Sequence, residues 1–192
     1  MSRKFEYNWI LERVEDGSTV LDVGCVRGIQ LQRLTVALLN KNCLVRGVSL
    51  NNVARNVHHH NFTYTKADVL RTRFNQESFD VIVASHVLQH LGLPYFGLHE
   101  NLVEHGDEIF IEKAWKWLKP DGILFIIVPI AKKSQYVFTS NCTYRVYSPA
   151  KLEVLFAKKF SVVGGVAFDG AHDTKKKVKE AKALLWELKK IE

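Results

Sequence analysis

Cysteine is scarce and scattered: Cys25, Cys43 and Cys142 are the 3 in 192 residues. An odd number so spread builds no disulfide framework, and with no Cys-x-x-Cys pair the common zinc and redox motifs are excluded. Reduced thiols are expected. Apolar runs of membrane-spanning length are also lacking; the longest, Gly122 to Ala131, has the length of a strand. The first residues, Met-Ser-Arg-Lys-Phe-Glu-Tyr, carry no secretory apolar segment, so a cytoplasmic protein with no membrane partner is expected. Metal ligation finds little support. His58, His59 and His60 are adjacent and point in different directions on a helix end, and His86-x-x-x-His90 lacks the glutamate and third ligand of a zinc-protease helix. No metal is expected.

The chain is 47% hydrophobic, enough at this length for one full core, and a single domain over 1–192 is the natural count. The formal charge of +7 collects near the end, in Lys175, Lys176, Lys177, Lys179 and Lys182, but Asp173, Glu180 and Glu187 are interleaved. That pattern reads as a solvated face rather than a basic arm for nucleic acid.

Buried runs alternate with helical periodicity along most of the sequence. A helix over about 4–14 ends at Asp16-Gly17, followed by a strand Thr19–Val23, a helix Ile29–Leu39, a strand Leu44–Ser49 and a helix Asn52–His59. Strands Phe62–Lys66 and Phe79–Ala84 come next, then a helix from Asp107 to Leu118, stopped by Lys119-Pro120-Asp121-Gly122. Strand Gly122–Val128, helix Pro149–Lys158 and strand Phe160–Phe168 complete the alternation. Such alternation predicts an α/β fold: a doubly wound, mostly parallel sheet with helices on both faces and ligands bound beyond the carboxyl ends of the strands. Val178, Ala181, Leu184, Leu185, Leu188 and Ile191 stand at helical spacing, predicting a terminal helix over about 174–191.

Chemistry is concentrated in Leu21-Asp-Val-Gly-Cys-Val-Arg-Gly28, where a strand stops at a glycine turn. Glycine permits the unusual backbone angles and lets a ligand approach the main chain. The dinucleotide fingerprint Gly-x-Gly-x-x-Gly does not fit, because Val26 takes the place of its middle glycine. Leu-Asp-Val-Gly-Cys-x-x-Gly instead resembles the first motif of class I S-adenosylmethionine-dependent methyltransferases, and further stations follow in the family's order from Val20 to Gly165.

The resemblance implies that Gly24, Cys25 and Gly28 meet the methionine part of S-adenosylmethionine by backbone, with Asp22 orienting the loop and helping to hold the amino group. Ser49 stands at the second strand's end, where most members place an acid for the ribose; its hydroxyl, or the Asn51 side chain, would make that contact without charge. Asp68, six residues before Phe74, would read the adenine amine, with the Val69 N–H donating to the ring. Ser85 and His86 end the next strand near the expected position of the methyl group, and His90 lies one helical turn on, on the same face. His90 is the first candidate base and His86 the second, a neutral imidazole being suited to that work near pH 7. Leu118-Lys-Pro-Asp-Gly122 resembles the family's structural post-fourth motif, and the family's seventh strand has no convincing counterpart after Phe168 unless it is a poorly patterned piece near Asp169–Asp173. The cations of the stretch from Ile130 to Tyr147, among them Lys132, Lys133 and Arg145, would suit an anionic acceptor.

These readings imply an enzyme transferring a methyl group to an oxygen or nitrogen of a small-molecule or sugar-like acceptor. An RNA methyltransferase is the alternative that a basic chain suggests. It is disfavoured because no Asn/Asp-Pro-Pro-aromatic motif follows the fourth strand and no added RNA-binding module is present. A catalytically inactive partner subunit is the alternative suggested by Val26 and Ser49.

Overall fold

The computed structural model describes residues 3–27, 29–52, 58–94, 102–168 and 182–191. The chain opens with α1 (Arg3–Leu11), β1 (Thr19–Val23), β2 (Val26–Arg27), β3 (Gln30–Leu31) and α2 (Arg33–Asn40). Next come β4 (Leu44–Ser49), β5 (Phe62–Lys66), β6 (Phe79–Ser85), a 3-10 turn (Leu88–His90), α3 (Gly106–Trp117) and β7 (Leu118–Ile130). A hairpin of β8 (Gln135–Phe138) and β9 (Thr143–Val146), α4 (Pro149–Phe156), β10 (Phe160–Phe168) and β11 (Lys182–Lys190) complete it.

Seven strands form one sheet in the order β10-β11-β7-β6-β1-β4-β5. The pairs from β7 to β5 are parallel, and β11 runs antiparallel to both its neighbours. This is the doubly wound architecture expected, with a seventh strand present.

Alternate residues of each strand face opposite sides, as the pleat requires. Val20, Val81, Val83, Phe125 and Ile127 pack with Tyr7, Ile10 and Val14 of the N-terminal segment and Leu34 and Leu38 of α2. Leu21, Ile82, Ala84, Leu124 and Ile126 pack with Phe110, Ile111 and Ala114 of α3 and Leu152 and Phe156 of α4. Both faces of the central strands are therefore dry, which is why they read as nearly continuous apolar runs.

Several expectations need correction. The terminal segment 182–190 is a strand, not a helix; the expected span 174–181 and the piece Asp169–Asp173 lie outside the described residues. Ala183 and Leu185 enter one core while Leu184, Trp186 and Leu188 face the other. A strand covered on both faces loses its period of two, and Ala-Leu-Leu-Trp then mimics helical spacing. The helix expected from Ile29 begins only at Arg33, because Val26 pairs with Leu31 and Arg27 with Gln30 first. Helix α3 ends at Trp117, and Lys119 to Gly122 open β7 instead of forming a separate stop, with Asp121 at φ 62°. The stretch after β7 is a hairpin, with Tyr144, Arg145, Val146 and Tyr147 buried.

The N-terminal helix ends at Leu11, shorter than the expected 4–14, although Val14 remains in the core. Of the helix expected over Asn52–His59, residues 53–57 lie outside the described residues and His58 and His59 are not helical. No helix among the described residues is long and apolar enough to cross a membrane.

Candidate active site

The carboxyl ends of β6, β1, β4 and β5 lie side by side, and each carries residues expected at the site. Ser85 closes β6, Asp22 and Gly24 lie at the end of β1, Ser49 closes β4 with Asn51 just beyond, and Asp68 and Val69 follow β5. Parallel pairing in close register brings these scattered positions into one row.

Asp22 is buried on the α2 side and accepts a 2.6 Å hydrogen bond from Thr35 Oγ1. Burial lifts its carboxyl to about 7, against the opposing pull of the Thr35 hydroxyl. The chain then turns at Gly24, with φ 76°, and the Gly24 N–H donates to the Val48 carbonyl at 2.8 Å. The space a Cβ would take at Gly24 is filled by Val87, whose Cγ2 lies 2.5 Å from that position. The Cβ side of this glycine, expected to be open to a ligand, is thus occupied by a side chain, and the need for glycine is steric as well as conformational. Gly28 lies outside the described residues. Cys25 Sγ rests against Gly47, 2.5 Å from where a Cβ would stand, and burial followed by the Asp22 charge pushes the thiol far up. It is a packing residue with an inert thiol.

Ser49 is buried, and its Oγ accepts from the Asn51 N–H at 3.3 Å. The Asn51 amide nitrogen donates to the Val26 carbonyl at 3.3 Å, and the Tyr64 hydroxyl meets the carbonyls of both Ser49 and Asn51. The side-chain nitrogen of Asn51 therefore ties β4 to the β2–β3 hairpin. Asp68 Oδ1 accepts from the Leu70 N–H at 2.9 Å, and its carbonyl accepts from the N–H groups of Arg71 and Thr72. Phe74 sets its ring edge-on to Phe79 and Trp117 at 5.4 and 5.0 Å, so the Asp68–Phe74 spacing joins a rim residue to a core residue.

The two histidines do not share a helical face. His86 has φ 56°, which breaks any helix through it, and the 3-10 turn begins only at Leu88. His86 Nε2 lies 3.0 Å from the carboxylate of Glu6 on α1. His90 instead sets its ring against Tyr144 at 5.9 Å, and burial lowers its pKa to about 4, a hydrogen bond with the Thr143 backbone opposing. Ser85 Oγ and Gln89 Oε1 are both buried with no hydrogen-bond partner among the described residues. A hydroxyl that can give or take a proton and a carbonyl that only accepts are fit for a ligand bearing polar hydrogens.

Arg145, expected to meet an anionic acceptor, is buried and engaged elsewhere. Its Nη1 donates to the Leu91 carbonyl at 2.7 Å, and its Nε lies 3.5 Å from Asp107. Tyr147 donates to the same carboxylate at 3.1 Å. This buried network anchors the turn carrying His90 to the hairpin and to α3.

Sequence reasoning missed four contributors: Glu6, Tyr7, Gln32 and Thr35. The Tyr7 hydroxyl donates to Gln32 Oε1 at 2.9 Å, and the Gln32 amide donates to the Gly24 carbonyl. One signal was available for Glu6: it stands four residues before Ile10, an acid beside the apolar stripe Tyr7, Ile10, Val14.

Comparison with known proteins bears on the family and the fold. The model of the methyltransferase domain matches residues 21–126. A ubiquinone biosynthesis O-methyltransferase of Haemophilus ducreyi is 25% identical over 182 residues, covering 88% of this chain. The chain spans 63% of the length of that relative. Among solved structures, the Burkholderia thailandensis 1,6-didemethyltoxoflavin-N1-methyltransferase, with its substrate and S-adenosylhomocysteine bound, superposes with a TM-score of 0.75. It is 18% identical, with 97% of this chain and 77% of that chain covered. The N-methyltransferase NodS of Bradyrhizobium japonicum, in complex with S-adenosylhomocysteine, gives 0.65 at 17% identity, covering 98% and 87%.

Proposed function

Because the chain belongs to the methyltransferase-domain family, whose methyl donor is S-adenosylmethionine, we propose that it methylates an oxygen or nitrogen of a small-molecule acceptor at the strand tips. The observation that carries the reading is the row of polar groups across four adjacent parallel strands, ending in the Ser85 hydroxyl, which has no partner among the described residues, beside His86. The relatives support the acceptor class: one is named for O-methyl transfer in ubiquinone biosynthesis, and another holds a small molecule in its structure.

The donor, when bound, supplies an activated methyl group on a sulfonium, so the protein's task is alignment in a dry pocket. Asp22 is suited to the donor's ammonium group, whose positive charge would draw the carboxyl to its ionised form. Ser49 and Asn51 are suited to the ribose hydroxyls, with neutral hydrogen bonds about half as strong as charge-assisted ones. Asp68 and Val69 would border the adenine, and the backbone of Cys25 and Gly28 the amino-acid tail, with Gly24 setting the turn that carries them. Ser85 would face the reacting end.

His86 is the better base. Its Nε2 is held by the Glu6 carboxylate at 3.0 Å, whereas His90 at a pKa of about 4 is a poor proton acceptor at neutral pH. His90 is suited to shaping the acceptor wall with Tyr144.

Calorimetric titration with S-adenosylhomocysteine tests the donor half. The expected result is one site per chain, weakened about tenfold by Asp22→Asn, the scale of one lost charge-assisted hydrogen bond. A screen of phenolic, catechol, amine and sugar acceptors with methyl-labelled donor tests the acceptor half. A chain that binds no S-adenosylhomocysteine would sink the enzyme reading and leave a partner subunit of the same fold.

A further inference from the structure

The Glu6 carboxylate is an expensive group to place where it stands. Its side chain is only 6% accessible, at one edge of the stripe by which α1 docks on the sheet, and its recorded hydrogen-bond partner among the described residues is His86 Nε2 at 3.0 Å. An unpaired buried carboxylate is strongly destabilising, so the pair forms as a unit when α1 docks. The next residue, Tyr7, reaches the Gly24 loop through Gln32. Two adjacent side chains of one helix thus reach the two halves of the site, Glu6 toward the candidate base and Tyr7 toward the donor loop.

A carboxylate accepts hydrogen bonds and cannot donate, so the proton of a neutral His86 must lie on Nε2 and its lone pair on Nδ1. We propose that Glu6 is a positioning residue for methyl transfer, fixing His86 in the tautomer and orientation that present Nδ1 to the acceptor, so that docking of α1 completes the base. This inference rests on the reading of His86 as base. In the reaction His86 Nδ1 takes the acceptor proton as the acceptor oxygen or nitrogen bonds the methyl carbon. The electron pair of the broken carbon–sulfur bond stays on sulfur, and Glu6 balances the charge of the imidazolium. Proton release to water then restores the neutral ring.

The test uses the full chain, labelled with nitrogen-15 and saturated with S-adenosylhomocysteine, read by long-range proton–nitrogen spectra of the histidine rings. Wild type is expected to show His86 as the Nε2–H tautomer. Glu6→Met keeps an apolar side chain of similar length but no acceptor, and should give a mixture of tautomers. Glu6→Gln should restore the Nε2–H form through its amide oxygen. Tyr7→Phe should leave the tautomer unchanged while weakening S-adenosylhomocysteine binding a few-fold. With catechol as probe acceptor, Glu6→Met should lower kcat about ten- to hundredfold, part of what general-base catalysis supplies, with KM for the donor within about twofold. Glu6→Gln should fall between. An unchanged His86 tautomer in Glu6→Met overturns the proposal, whether or not catechol is methylated. Failure of wild type to bind S-adenosylhomocysteine overturns instead the functional reading beneath it.

Discussion

At Gly24 the backbone takes φ 76°, and a Cβ there would stand 2.5 Å from Val87 Cγ2. Two separable effects follow for Gly24→Ala: a left-handed strain of about 1–2 kcal/mol and an overlap that a smaller neighbour relieves. Urea unfolding should show a loss of at least that strain in Gly24→Ala and partial recovery in Gly24→Ala with Val87→Ala. Stability equal to wild type in the single variant would contradict the assigned turn. The glycine was visible in the motif, but its reason was not, since Val87 is remote in sequence. His86 and His90 teach the same lesson. A spacing of four suggests one helical face, yet one residue at φ 56° sends the rings to different partners, Glu6 and Tyr144.

β1, β5 and β10 were legible over the residues expected, β5 and β10 as edge strands and β1 as a dry run bounded by Asp16-Gly17 and the Gly24 turn. β11 was not, because it lies between β10 and β7 with both faces covered, and its apolar run carries no period. Its inclusion in the sheet makes Leu185, fully buried against the Phe125 and Ile127 side, a stability determinant. Leu185→Ala should cost about 2–5 kcal/mol by chemical denaturation. By contrast, Lys189, paired with Asp121 at 2.9 Å on an exposed surface, should cost less than about 1 kcal/mol on truncation to alanine. Near-equal costs would argue against a strand buried on both faces. The β2–β3 pairing was hidden because two-residue strands leave no pattern to read, and Ile29 and Leu31 fitted the helix that follows.

Across the whole molecule, the pH dependence of stability should reflect two buried candidate-site residues that act in opposite directions. His90 binds a proton at about 4 when folded and at the ordinary 6.5 when unfolded. The unfolded chain therefore takes up the proton first, and stability present above pH 6.5 is lost as pH falls toward 4. The lowered carboxyls of Asp80, beside Lys119, and Glu112, beside Lys159, add to the same acid limb. Asp22 works the other way. Its folded value near 7 exceeds the ordinary 3.8, so between those values the folded chain holds a proton that the unfolded chain has released, and stability is lost as pH rises from about 4 to 7. Between about pH 4 and 6.5 the two effects oppose each other, so melting temperature should vary little there in wild type and climb with pH in Asp22→Asn. A superimposable profile would mean that Asp22 ionises normally.

The sequence by itself determined the alternation of strands and helices, the glycine turn after β1 and the run of site positions at successive strand ends, because each depends on local pattern or short spacing. Only the tertiary structure decided which of these groups meet. Burial and pairing across long separations turned Arg145 inward to Asp107, lowered the basicity of His90, and brought Glu6 within hydrogen-bond distance of His86 across 80 residues of chain. Desolvation and long-range contact have no local signature, since they are properties of the packed interior.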